Sequence, residues 1–142
     1  MRRVVPACVA AAAAVAVIAA LGGGWRARAE PAAGLSFTQA QADQGQQVYA
    51  DRCGLCHGAH MDDGEFAPSL KGGRFRTHWG GKSVGALFAY VAANMPPGQS
   101  GVLSADDYAD VLAYVLQSNG APAGTTPLPS DAAALATLTV PG

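Results

Sequence analysis

The sequence predicts an all-α fold, built from short helices joined by long loops. Three observations support this prediction. Residues that favour the N-terminal cap of a helix precede three stretches whose apolar side chains recur at helical spacing. Glycines and prolines are concentrated between these stretches, where they favour turns. We find neither the alternating pattern of a half-buried strand nor an internal repeat.

The first predicted helix begins near Thr38, a residue type that caps helix N-termini well. Gly45 and Tyr49 follow one turn apart on the same face, and Val48 and Arg52 also fit the helical spacing. A glycine inside a helix costs about 1 kcal/mol relative to alanine. The presence of Gly45 therefore indicates that another element approaches this helix closely.

The chain from Gly58 to Lys82 is predicted to be a loop, because glycine and proline interrupt it repeatedly. Ser83 then caps a second helix, which ends at the sequence Met95-Pro96-Pro97-Gly98 because proline cannot continue a helix. The predicted apolar face of this helix consists of Val84, Leu87, Phe88 and Val91.

A third helix begins after Ser104, with Asp106 and Asp107 in the first turn, where acidic side chains interact favourably with the helix dipole. Asn119-Gly120 ends it. Beyond this helix, Ser130 to Leu138 can form one last short helix. The predicted buried stripe of the third helix consists of Tyr108, Val111, Leu112, Val115 and Leu116.

The N-terminal residues have the order of a secretory signal peptide. Arg2-Arg3 supplies a basic start, an apolar run from Val4 to Leu21 follows, and Ala27-Arg28-Ala29 offers small residues for cleavage. We expect cleavage after Ala29. Because the apolar run just reaches the length of a membrane span, an uncleaved anchor is the alternative. The predicted division is a signal peptide (1–29), a flexible lead (30–37), a folded domain (38–120) and a Pro- and Ala-rich tail (121–142).

The charge balance argues against nucleic acid and anionic membrane as partners. Cleavage would remove four of the nine Lys and Arg residues and none of the ten Asp and Glu residues, which leaves a formal net charge of −5. A mildly acidic exported protein is not expected to bind nucleic acid. Only Cys53 and Cys56 remain, too few for a disulfide framework. We expect protein partners, and contact with a membrane only if the N-terminal segment stays uncleaved.

The chemistry of the chain is indicated by the C-x-x-C-H motif at residues 53–57. This motif is the attachment signature of c-type haem. Two thiols three residues apart lie on one side of a helix end, where each can form a thioether with a haem vinyl group. Cys53 and Cys56 are therefore the predicted cofactor-binding residues, and His57 is the predicted proximal ligand of the iron.

Three other interpretations of the motif fit less well. A structural zinc site needs four protein ligands, and the two cysteines with His57 and His60 have unusual spacing for one. A redox-active C-x-x-C normally follows a strand and opens a helix, whereas a helical pattern precedes this one. A surface disulfide would account for Cys53 and Cys56 but not for His57.

A second axial ligand to the iron is predicted at Met95. Methionine opposite histidine is the usual cytochrome c pairing, and the predicted mature chain contains only Met61 and Met95. Met61 follows His57 too closely to reach the other side of a haem, whereas two prolines stiffen the loop that carries Met95. The alternative role of Met95 is to fill the core at a helix end. His60 and His78 remain alternative ligands.

With these residues identified, the chain resembles the class I mono-haem cytochromes c from about Thr38 to Gly120. The resemblance implies a cytochrome c-like fold wrapped around one covalent haem c and its iron. In this family a proline in a P-x-L-x-G context offers its carbonyl to the ligating histidine. Residues 68–72 match that pattern, so the resemblance implies that Pro68 orients His57.

The resemblance also accounts for the glycine in the first helix. The family crosses its first and last helices through a glycine and an aromatic residue; here these are Gly45 and Tyr49, with Val111 and Tyr114 opposite. The resemblance also implies a role for Arg74, Arg76 and Trp79, which stand where the family often binds the haem propionates. The alternative is that these residues form a solvated basic turn with one aromatic residue in the core.

Two segments are similar to cytochromes associated with quinoprotein (PQQ-dependent) alcohol dehydrogenases. The first is Met95-Pro96-Pro97-Gly98, followed by Gly101-Val102-Leu103-Ser104 and Tyr108, and the second is Leu128-Pro129 with the Ala-rich tail. We expect a single-electron carrier and not an enzyme, because a haem with two protein ligands has no open iron site. The expected donor is a periplasmic dehydrogenase, and the expected acceptor is an oxidase or another cytochrome. A peroxidase and a gas sensor are the alternatives. The expected location is the periplasm, or the outer face of the inner membrane if the N-terminal segment anchors the chain.

Overall fold

The computed structural model describes residues 34–142. The predicted signal peptide, its cleavage site and residues 30–33 lie outside the described residues. The described part contains six helices and, apart from two isolated β-bridges, no extended pairing, which confirms the all-α prediction. None of these six helices is both long enough and apolar enough to cross a bilayer. The helices are α1 (Gln39–Arg52), α2 (Gly54–His57), α3 (Gly72–Trp79), α4 (Val84–Asn94), α5 (Ala105–Ser118) and α6 (Ala132–Ala136).

The N-cap residues predicted from the sequence begin α1, α4 and α5. Each hydroxyl accepts a hydrogen bond from the amide three residues further on, at 3.0–3.1 Å. Such a bond satisfies one of the amide groups that the first turn of a helix leaves without a partner. Helices α4 and α5 end before Met95 and Asn119, as predicted. The three capping residues are Thr38, Ser83 and Ser104.

Helices α1 and α5 cross at Gly45. A Cβ atom at this position would overlap the carbonyl oxygen of Asp110, so only glycine lets the two backbones approach so closely. One turn further along α1, the ring of Tyr49 meets that of Tyr114 edge-on, with centroids 5.6 Å apart. The close approach predicted from the glycine is present.

Replacing Gly45 with alanine is expected to lower the free energy of unfolding by about 1–3 kcal/mol, the usual cost of overfilling a packed contact. Urea unfolding of the haem-loaded protein would measure this change. Gly73→Ala is the matched control, because a Cβ at Gly73 in α3 meets nothing within 4 Å. Alanine there should be neutral or stabilising by up to about 1 kcal/mol. Equal losses at the two positions would contradict the crossing.

The structure differs from the loop predicted between Gly58 and Lys82, because residues 72–79 form α3. The adjacent glycines at its start favoured a loop. In the fold, the amide of Gly72 donates a hydrogen bond to Asn119 Oδ1 at 2.9 Å, and Phe75 is buried in the core. Asn119 lies 47 residues further along the chain. A tertiary contact, and not a local preference, therefore sets the start of this helix.

The predicted flexible lead is wrong at its C-terminal end. Phe37 is fully buried, and its carbonyl accepts a hydrogen bond from the amide of Gly124 at 2.7 Å. The hydroxyl of Ser36 donates to the carbonyl of Thr126 at 2.9 Å. These residues are held because the far end of the chain returns to them.

Residues 121–142, which we call the C-terminal strap, pack beside α1 and α4. The side-chain amide of Gln41 forms two hydrogen bonds with the backbone of Leu128, at 2.7 and 2.9 Å. Further on, the amide of Val84 donates to the carbonyl of Leu138 at 2.9 Å. The strap therefore joins the start of α1 to the start of α4. Its buried apolar side chains include those of Leu128, Leu135, Leu138 and Val140.

Candidate functional site

A cavity of about 790 Å³ lies among the helices and is lined mostly by apolar side chains. This volume is within the range of about 300–1,000 Å³ that is typical of small-molecule and cofactor sites. The C-x-x-C-H motif and the loop after it form one side, and parts of α3, α4 and α5 form the others. Of the residues that the sequence and the family resemblance assigned to the cofactor or its iron, all but Arg76 line this cavity: Cys53, Cys56, His57, Pro68, Arg74, Trp79 and Met95.

Cys53 is the residue between α1 and α2, and Cys56 lies within α2. The amide of Cys53 donates to the carbonyl of Tyr49 at 2.8 Å, so the motif continues directly from α1. The hydroxyl of Tyr49 donates to the carbonyl of Gly58 at 2.7 Å and so holds the other end of the motif. Both thiols are free and half-buried. Burial, with the neighbouring Cys56 as a smaller cause, raises the pKa of Cys53 to about 11.

His57 is buried, and its ring has a defined hydrogen-bond partner. Nδ1 lies 2.8 Å from the carbonyl oxygen of Pro68. Because a carbonyl can only accept a hydrogen bond, Nδ1 must carry the proton, and Nε2 is left with a free lone pair. This arrangement fixes the tautomer and the ring orientation that a metal ligand needs. The contact is the one that the family resemblance implied for Pro68.

The two methionines occupy different environments. Met95, the residue that ends α4, lines the cavity and is half-buried. Met61 is only 1% exposed, but it packs in the core and is not among the residues that line the cavity. Of the alternative ligands, His60 is exposed and pairs with Asp63 at 2.9 Å, whereas His78 lines the cavity. The geometry therefore favours Met95 over Met61 and His60, and leaves His78 as an alternative.

Helix α3 brings basic and aromatic side chains to the cavity. Arg74 and His78, one turn apart, both line it, as does Trp79. The Nζ atom of Lys82 lies 5.1 Å from the centre of the Trp79 ring, a distance at which a cation is attracted to the ring face. Arg76, in contrast, does not line the cavity. This face of α3 therefore suits the carboxylates of a bound ligand.

Three aromatic residues at the cavity, Phe66, Phe75 and Tyr90, were not predicted from the sequence. Phe66 lines the cavity although its side chain is 77% exposed, and Tyr90 lines it with its ring 5.4 Å from that of Trp79. Phe66 is a lone aromatic in a segment that reads as a loop, and Tyr90 lies off the apolar face predicted for α4. Leu55, between the two cysteines, is 87% exposed. The surface near the motif therefore displays apolar side chains to solvent.

The residues at this cavity fit a covalently bound haem. Two thiols three residues apart, an imidazole with a free Nε2 and a thioether sulfur line one apolar space. The zinc alternative needs four protein ligands. In residues 34–142 no three His, Cys, Asp or Glu side chains are grouped so that they could hold an ion.

Comparisons with known proteins agree with this chemistry. Residues 40–115, more than half of the chain, match the family described as cytochrome c oxidase, cbb3-type, subunit III. The chain is also similar to the thiosulfate dehydrogenases of Psychrobacter arcticus, 30% identical over 79 residues, and Stutzerimonas stutzeri, 33% identical over 81 residues. Each match covers 51% of this chain but only 24% and 25% of the relatives, so the chain spans about a quarter of their length. No solved structure matches the chain significantly.

Proposed function

Because the chain belongs to the family of cytochrome c oxidase, cbb3-type, subunit III, whose members are c-type cytochromes, we propose that it is a single-electron carrier with its haem iron held between His57 and Met95. Membership in the family establishes haem c as the cofactor and electron transfer as the chemistry. The ligand pair, the partners and the location are our proposal. The observation that supports it best is that both cysteines, His57 and Met95 line one apolar cavity.

Each residue of the site would have a separate task. Cys53 and Cys56 would hold the haem through two thioether bonds. His57, with its proton kept at Nδ1 by Pro68, would bind the iron through Nε2, and Met95 would bind from the opposite side. When bound, haem c supplies an iron that changes between the ferric and ferrous states by one electron.

The surroundings of the site support a carrier more than an enzyme. An apolar lining excludes water, and a methionine ligand raises the reduction potential. If His57 and Met95 both held the iron, they would leave no position on it for a substrate. We assign Arg74 and Trp79, which line the cavity beside His78, to the haem propionates.

We propose that redox partners dock beside the exposed side chains of Leu55 and Phe66. Leu55 lies between the cysteines and Phe66 lines the cavity, so a partner covering them would approach the haem. Electron-transfer complexes are usually transient and bury less than about 1,200 Å². The donor would be a periplasmic dehydrogenase, and the acceptor an oxidase or another cytochrome.

The curated relatives favour a second, narrower candidate. Because they are thiosulfate dehydrogenases, the chain would serve as the domain that receives the electrons that thiosulfate loses when it is oxidised. The similarity to quinoprotein-associated cytochromes would instead make an alcohol dehydrogenase the donor. Reduction of the purified protein by one of these enzymes with its own substrate, and not by the other, separates the two.

We place the protein in the periplasm, with residues 1–29 as a cleaved signal peptide. The order of basic residues, apolar run and small residues supports this location. If the segment stays uncleaved, the same order supports an anchor that holds the domain at the outer face of the inner membrane.

Optical spectra of the exported protein test the proposed ligand pair. The reduced protein is expected to show a sharp α-band of a c-type haem. The oxidised protein should show a weak far-red charge-transfer band from the methionine–iron bond, and reduction should remove it. Added CO should bind slowly, because both axial positions are occupied. A high-spin spectrum would favour the peroxidase alternative, and rapid CO binding to a low-spin protein would favour the gas sensor.

A further inference from the structure

The backbone carbonyl of Met95 has a side-chain partner on another helix. Met95 ends α4 in an extended conformation, and Pro96 and Pro97 lack the amide groups that could continue the helix. The hydroxyl of Tyr108, in the first turns of α5, donates a hydrogen bond to this carbonyl at 2.9 Å. Tyr108 is only 3% exposed, so water competes little for its hydroxyl.

We infer that Tyr108 is a positioning residue, which limits how often the Met95 side chain leaves the haem iron. This inference rests on the proposed ligation by His57 and Met95. It goes beyond the question of which residue binds the iron, because it concerns how long the bond between Met95 and the iron lasts.

The hydrogen bond is well placed for this task. Residues 95–103 form a loop whose other connections are backbone hydrogen bonds, among them the amide of Gly101 to the carbonyl of Ala92 at 3.0 Å. In the described part of the chain, the Tyr108 hydroxyl is the only side-chain group that forms a hydrogen bond with this loop. Tyr108 therefore links the ligand-bearing end of α4 directly to α5.

Helix α5 itself is fixed to the rest of the site. The ring of Tyr108 meets that of Phe88 edge-on, with centroids 6.2 Å apart. One turn further along α5, Val111 and Leu112 line the cavity. The hydroxyl is thus held by a helix that forms the cavity wall, so losing the hydrogen bond frees the loop without removing the wall.

The alternative is that the hydroxyl only satisfies its own hydrogen-bonding need. Under that alternative its loss changes the global stability of the fold and nothing else. If Tyr108 positions Met95, its loss changes the exchange of the iron ligand under conditions where the protein stays fully folded. The rate of CO binding separates the two roles, since CO can bind the ferrous iron only while Met95 is displaced.

The test compares the haem-loaded wild-type protein with Tyr108→Phe and with Tyr114→Phe. The second variant is the matched control, because Tyr114 lies on the same helix but packs against Tyr49, away from Met95. In Tyr108→Phe, CO should bind the ferrous protein about 2- to 13-fold faster, the factor that one neutral hydrogen bond contributes to an equilibrium. The far-red band should also weaken at a lower temperature. Tyr114→Phe should match the wild type in both measurements.

Equal CO rates in the wild type and Tyr108→Phe would overturn the inference, as would an equal acceleration in Tyr114→Phe. If Tyr108→Phe does not fold, proton NMR of the wild-type ferrous protein decides. A slowly exchanging tyrosine hydroxyl proton close to protons of Met95 and Pro96 supports the link, and its absence overturns it. A wild-type protein that lacks the far-red band would instead contradict the proposed ligation itself, so the two failures are distinguishable.

Discussion

Replacing both Cys53 and Cys56 with alanine is expected to abolish covalent attachment of the haem. The two half-buried thiols are the groups at the cavity that can form thioether bonds, and nothing else there would retain the haem once the protein unfolds. After maturation in cells with a working haem-attachment system, a denaturing gel stained for haem should show no band at the mass of this chain.

Three further variants make this result interpretable. Leu55→Ala is the matched control, since Leu55 lies between the cysteines but is 87% exposed, and its band should keep the wild-type intensity. Each single cysteine variant should keep one thioether and a weaker band. A haem-stained band in the double variant would contradict the attachment site.

Replacing Met95 with alanine is expected to give the second large effect. Loss of the thioether should remove the far-red band, open the iron to CO and lower the reduction potential by on the order of a tenth of a volt. Axial ligands span a range of roughly 0.8 V, so a change of this size is modest within it. Potentiometric titration and CO binding measure these effects.

Met61→Leu is the control for Met95→Ala. Met61 is buried in the core and does not line the cavity, and a swap of similar volume usually costs less than about 1.5 kcal/mol. It should leave the band, the potential and the CO rate unchanged. If Met61→Leu removed the band and Met95→Ala did not, the ligand assignment would be wrong. If the wild-type protein lacked the band, His78, which also lines the cavity, would become the first candidate.

Local rules were sufficient for much of the fold. Thr38, Ser83 and Ser104 cap helices because their hydroxyls satisfy nearby amide groups, and the prolines after Met95 end α4 for an equally local reason. Gly45 indicated a close crossing because a glycine inside a helix carries a cost that needs a compensating contact. The partner helix came from the family resemblance and not from the glycine itself.

The features missed from the sequence depend on residues far apart in the chain. Helix α3 begins at glycines because the side chain of Asn119 accepts a hydrogen bond from the amide of Gly72. Phe37 is held in the core because the chain near Gly124 packs beside it, and the amide of Gly124 donates a hydrogen bond to its carbonyl. No propensity within either segment contains that information.

The candidate site shows the same division between local and distant contacts. The motif at 53–57 predicts the attachment residues directly, since the spacing of its thiols is itself the chemical requirement. The remaining wall of the cavity could not be derived in this way. Phe66 and Tyr90 reach it from a loop and from the flank of α4, and periodicity gives no indication of either.

The C-terminal strap has a consequence for how the molecule opens. Gln41 in α1 and Val84 in α4 are both held by the strap backbone, although they lie in different parts of the chain. Detaching the strap releases the starts of both helices at once, so their fluctuations belong to one cooperative unit of local unfolding. The motif at 53–57 and Tyr108 lie outside these attachments. The motif and Tyr108 can therefore keep their own contacts while the starts of α1 and α4 open and close.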